Sequence, residues 1–230
     1  MDPTLVEAEQ SAELSQFIQS LYKRREFLQQ QLKKKEEKNC HMETESANVN
    51  HEDENENGQF DKIKKEIESV IQLLRTMPHF EMLEPTDQVI LLSFVAIPLI
   101  AMNARFNPLK TNLEIITKIN NNNTFNPLFH AATVKTLQLS DEEFFLVCAL
   151  TSSNSAVTAG LSDPGRRTLQ HLSEHYANLL MHHLCTNYGN MAGAFRHAEL
   201  VHLTESVFLN AEPLPEYYRQ EITNCFLRKI

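Results

Sequence analysis

From Val89 to Met102 the chain carries apolar side chains almost all the way round a helical projection, interrupted only by Ser93 and Pro98. A helix with no polar face has to be covered on every side by other helices, so this segment predicts a helical core at least three layers deep. It is entered through Met77-Pro-His-Phe-Glu-Met-Leu-Glu-Pro-Thr-Asp-Gln-Val-Ile-Leu-Leu92, which joins the end of an amphipathic helix to the start of the buried one. With 230 residues, 42% of them hydrophobic, the chain can bury one sizeable core, and only 5 Gly with few alternating apolar segments speak against a sandwich or barrel. The apolar run is interrupted and too short to cross a bilayer of about 30 Å, so it reads as a core helix and no membrane partner is expected.

Composition breaks the chain into three. In residues 1–38, Leu14, Phe17, Leu21, Leu28 and Leu32 recur at helical spacing, with Lys23, Arg24, Arg25 and Lys33 to Lys35 around and after them. This is a basic amphipathic helix whose stripe docks on the domain or on another chain; nuclear import or phosphate contact is the other reading of its cations. Residues 39–59 turn to Asn, Glu, Asp, His and Ser with almost nothing to bury, which predicts a disordered acidic, Asn-rich linker. Residues 60–230 form the main domain.

Within it, Phe60, Ile63, Ile67, Val70, Ile71, Leu74 and Met77 fall on one face and predict a helix over 60–77 ended by Pro78. Pro85 suits the first turn of the next helix, Asp87 puts negative charge near its positive end, and Pro98 predicts a bend by crowding the carbonyl of Phe94. Asn107 to Asn126 is a polar excursion. Ser140 and Glu143 have capping-box spacing, and Ser162-Asp163-Pro164 opens a long helix through Leu169, Leu172, Tyr176 and Leu184 to Tyr188-Gly189. Another helix covers about Ala194 to Leu209, and Glu216 to Ile230 forms a last one.

The formal net charge of −9 provides no general field for nucleic acid phosphates, so contact with DNA is expected through a partner rather than from this chain alone. Cys40, Cys148, Cys185 and Cys225 are scattered without zinc-finger spacing and read as reduced thiols of an intracellular protein, while Met1 to Gln10 lacks the apolar run of a signal peptide. His171, His175 and His182 share roughly one side of a helix where imidazoles could meet a metal, but the glutamate of a zinc-protease motif is absent and a polar helix face accounts for them. Without a Gly-rich phosphate loop, a nucleophile elbow or a dense carboxylate cluster in an apolar setting, an enzyme is not expected and no cofactor or metal is called for.

Phe80-x-x-Leu83-x-x-x-Asp87-Gln88-x-x-Leu91-Leu92, between an amphipathic helix and a buried one, resembles the signature of nuclear hormone receptor ligand-binding domains. Leu139-Ser140-Asp141-Glu142-Glu143 through Leu161-Ser162-Asp163 to Leu169-Gln170 resembles that family's next landmark, and Arg196 to Leu203 is similar to its dimerising helix. The likeness spans about Phe60 to Leu209 in the family's order.

This resemblance implies an all-α, three-layer antiparallel helical sandwich. Its lower half would enclose an apolar ligand, and its upper surface would offer a groove to a coregulator peptide helix. Pocket positions fall on Ile63, Glu66, Ile67, Val70, Ile97, Ile100, Ala101 and Ala104, a set suited to a small lipophile of the fatty acid or sterol class and equally to a filled core. Groove positions fall on Ile71, Arg75, Gln88, Val89 and Leu92, with Arg75 standing where the family's cation holds the peptide's C-terminal carbonyls. The family's terminal activation helix ends its clamp with a Glu; the matching stretch Phe226 to Ile230 has Lys229 there, which reverses the sign. The family's ligand-anchoring Arg falls on Asn107, with Arg105 two residues early, and its buried Glu is replaced by Pro98. The family's two zinc modules have no counterpart in this sequence. The implied protein is a nuclear transcriptional regulator that forms homo- or heterodimers with other receptors; the alternative is a ligand-free helical adaptor or corepressor scaffold.

Overall fold

The computed structural model of this chain describes residues 11–23, 26, 67–103, 136–154, 160–209 and 220. These form seven helices, and among the described residues there is no strand. In chain order they are α1 (11–23), α2 (67–76), α3 (Pro78–Glu81), α4 (Pro85–Asn103), α5 (Asp141–Ser153), α6 (Asp163–Tyr188) and α7 (Asn190–Leu209). The fold is all-α, three helical layers thick.

Two helices without a polar face, α4 and α5, make the middle of the molecule. In α4, Leu91, Leu92, Val95, Ala96 and Leu99 are fully buried, and the helix continues through Pro98 without ending there. By length and composition α4 is apolar enough to cross a membrane, yet its side chains are taken up by protein contacts. In α5 every residue from Glu143 to Ser153 is buried, and this helix packs against α4, α6 and α7. Its three C-terminal hydroxyls cause no loss, because Thr151, Ser152 and Ser153 donate to the carbonyls of Val147, Cys148 and Ala149 at 2.7 to 2.8 Å.

Helix starts and stops follow local chemistry. Ser140 and Glu143 form a reciprocal capping box: Glu143 N–H donates to Ser140 Oγ at 3.1 Å, and Ser140 N–H donates to Glu143 Oε2 at 2.9 Å. Ser162 caps α6, with Pro164 in its first turn, and α6 ends at Gly189, whose N–H donates to Cys185 O at 2.9 Å. Helix α7 starts at Asn190 rather than near Ala194. Gly189, at φ +83, turns the chain sharply enough that its carbonyl already accepts from Gly193 N–H at 2.8 Å, so the new helix begins within one residue.

Of the expected 60–77 helix, 67–76 is helical as described. Pro78 does not return the chain to a loop; it opens the four-residue helix α3, a use for proline at a first helical position. The amphipathic stripe of α1 docks on the domain itself, with Ile18 and Leu21 in the common core and Leu14, Phe17 and Tyr22 packed against it. Residues 39–59, the excursion 107–126 and, apart from residue 220, the segment 216–230 lie outside the described residues.

Candidate functional site

The junction from α2 through α3 to α4 gathers the groove candidates. Ile71 and Leu92 are buried, whereas Arg75, Gln88 and Val89 are half-buried at its rim. Gln88 also holds the junction's shape: its Nε2 donates to Phe80 O at 2.7 Å and to Leu83 O at 3.0 Å, tying the start of α4 to the carbonyls at the end of the short helix. Met82, 64% exposed, stands on the same turn.

Ile67, Val70, Ile97, Ile100 and Ala101 are all buried and belong to the one apolar cluster that also holds Ile71 and Leu92. Five of the eight pocket candidates are therefore core side chains. Ile63, Glu66 and Ala104 lie outside the described residues, as do Arg105, Asn107 and Phe226 to Ile230.

Three polar connections around these apolar sets have sequence separations that leave no local trace. Asp87, placed by sequence only near the start of its own helix, also reaches α6: its Oδ1 accepts from Ser162 N–H at 2.9 Å and its Oδ2 from the Ser162 hydroxyl. Ser162 Oγ in turn accepts from Gly165 N–H at 3.2 Å. Gly165 is needed there, because a Cβ at that position would run into the Asp87 carboxylate.

The second is an interior ion pair between α5 and α7. Glu143, whose side chain is 0% exposed, meets Arg196, 18% exposed, at 3.2 Å. Tyr188 donates to Glu143 Oε1 at 3.3 Å, and Arg196 Nη2 also donates to Leu137 O at 2.6 Å. Burial alone pushes the Glu143 carboxyl up. Hydrogen bonds from Arg196 and the Ser140 backbone, the Arg196 charge and the Tyr188 hydroxyl outweigh that and hold it below the usual carboxylate value.

The third joins α3 to α6. His79 is fully buried, with Nδ1 3.1 Å from the Tyr176 hydroxyl and Nε2 without a hydrogen-bond partner. Burial lowers its pKa from the ordinary 6.5 to about 3, so the imidazole is neutral. The sequence signal was a histidine and a tyrosine at otherwise apolar positions, with nothing to say that they meet.

Cys148 is a buried free thiol whose pKa burial pushes far up. Among the described residues no group of three or more His, Cys, Asp or Glu converges as a metal site requires. His175, one of the helix-face histidines, instead lies 3.7 Å from Glu13 of α1.

A buried central helix pair, an acidic clasp onto α6 and an ion pair onto α7 hold the described helices in one all-α frame. Residues 55–207 match the model of the ligand-binding domain of nuclear hormone receptor, and since this is most of the chain, the protein belongs to that family. Among curated proteins none matches this chain. The family as a whole regulates transcription in response to small lipophilic ligands, is nuclear and generally non-enzymatic, and binds coregulators and forms dimers.

Proposed function

We propose that this protein is a receptor-like transcriptional regulator that takes a small lipophile of the fatty acid or sterol class between α2 and α4. It offers a coregulator peptide helix the groove of Ile71, Arg75, Gln88, Val89 and Leu92. The ligand positions are Ile63, Glu66, Ile67, Val70, Ile97, Ile100, Ala101 and Ala104. What supports this reading is that the described ligand positions are buried apolar side chains of the core, while Arg75, Gln88 and Val89 are half-buried at the ends of α2 and α4 that flank α3 in the chain. Arg75 is suited to a peptide helix's C-terminal carbonyls, where the helix dipole favours positive charge. The regulator acts in the nucleus as a homo- or heterodimer with another receptor and reaches DNA through its partner.

Native mass spectrometry of the purified protein tests the ligand half: a co-purifying lipid is expected, and repeated recovery of bare protein overturns it. For the groove, a fluorescein-labelled amphipathic peptide with leucines at i, i+3 and i+4 is expected to bind, and Arg75→Glu to weaken it at least about tenfold, a coupling of roughly 1.4 kcal/mol. The ligand-free adaptor is favoured by one observation, the exposed apolar patch of Tyr188, Met191 and Phe195, which assembles proteins without needing a lipid. A dimer that never carries lipid selects that reading.

A further inference from the structure

The N-terminal helix and the proposed coregulator groove are on different parts of the chain, yet a short line of contacts joins them. On α1, Phe17 lies with its ring centroid 5.3 Å from that of Tyr176 on α6, and Glu13 lies 3.7 Å from His175, the residue before it. The Tyr176 hydroxyl meets His79 Nδ1 at 3.1 Å, and the two rings stand 5.5 Å apart. His79 belongs to α3, whose neighbouring carbonyls, Phe80 O and Leu83 O, are held by the amide of Gln88. Gln88 and Arg75 are the polar groups of the groove rim.

Each link has little slack. Tyr176 and His79 are 2% and 0% exposed, so neither ring can move without displacing what packs on it. Among the described residues, His79 Nε2 has no hydrogen-bond partner and the one polar contact that fixes the ring's orientation is the Tyr176 hydroxyl. Helix α3, only four residues long, has too few internal hydrogen bonds to hold its own position and takes it from its buried Phe80 and from the polar ties of His79 and Gln88. α6 is itself tied to the start of α4 by the clasp between Asp87 and Ser162, so the junction is braced from α6 at two points.

We infer that docking of α1 on α6 sets the groove's affinity for its peptide. Seated, α1 presses Phe17 on Tyr176, holds His79 and keeps the α3 turn in the shape that positions Arg75 and Gln88. Released, it lets Tyr176 turn, and the α3 turn loosens. A partner that captures the apolar stripe of α1 therefore weakens peptide binding, and bound peptide by reciprocity tightens the seating of α1. This rests on the groove reading given above.

The test uses the full chain with two variants, Phe17→Ala and the gentler Tyr176→Phe, each checked for native helix content by circular dichroism. Amide hydrogen exchange is followed across residues 77–84 without peptide, and affinity is measured by fluorescence polarisation with the leucine-spaced peptide. The expected result is faster exchange at 77–84 in both variants and an affinity loss of about fivefold in each, the double variant losing no more than the weaker-binding single one. If exchange at 77–84 stays at the wild-type rate in both folded variants, the coupling is overturned. It is equally overturned if the two losses simply multiply. Should wild-type protein bind no peptide while exchange at 77–84 responds to Phe17→Ala, the groove reading fails and the connection from α1 to the junction stands.

Discussion

Single side chains in this protein are set by who meets them in the interior. Arg196 is the counter-charge that makes a buried Glu143 tolerable, so Arg196→Ala leaves an unpaired carboxylate inside and is expected to cost on the order of 3 kcal/mol in urea unfolding. Adding Glu143→Gln should recover much of that loss, because Gln retains the capping geometry without the charge; equal instability of the single and double variants counts against the pairing. His79 predicts the pH response. Its folded pKa, about 3, lies below the ordinary 6.5, so the unfolded chain binds the extra proton and stability falls as pH drops from about 6.5 toward 3. The slope from this group approaches about 1.4 kcal/mol per pH unit inside that window. Unfolding midpoints at pH 7.5 and 5 should converge in His79→Gln, which keeps a polar contact for Tyr176 and cannot titrate. Glu143 acts in the same direction at lower pH, since a carboxyl held below its usual value loses its stabilising effect as it is protonated.

Elements reveal how much the sequence disclosed and where it fell silent. The starts of α5 and α6 were legible because a cap is a local device: Ser140 and Glu143 are three residues apart, as are Ser162 and Gly165. The all-round apolar character of α4 likewise required no partner to be known before its burial could be foreseen. What stayed hidden were the pairings across 75 residues from Asp87 to Ser162, 97 from His79 to Tyr176 and 53 from Glu143 to Arg196. Those distances have no period, and an aspartate near a helix start looks complete once its own helix dipole is counted. The start of α7 was misjudged for a related reason, because Gly189 serves two helices at once. Close approach of α6 and α7 was also invisible: a Cβ on Gly193 would sit 2.7 Å from the backbone of Cys185 and Leu184. Gly193→Ala, harmless or helpful in a free helix, is here expected to destabilise by about 1–3 kcal/mol, since backbone cannot move aside as a side-chain tip can. A neutral or raised unfolding midpoint in that variant argues against this tight crossing.

At the scale of the molecule, three of the four large apolar side chains left exposed among the described residues stand where α6 turns into α7, with Tyr188 51%, Met191 77% and Phe195 69% exposed. If this is where a second receptor chain sits, Phe195→Glu should shift sedimentation from dimer to monomer without lowering the unfolding temperature. An unchanged sedimentation profile assigns pairing to another face. The clasp between Asp87 and Ser162 has a consequence of a different kind. One carboxylate pins two helix starts that lie 75 residues apart, so a change at that single position reaches both ends of the described frame at once.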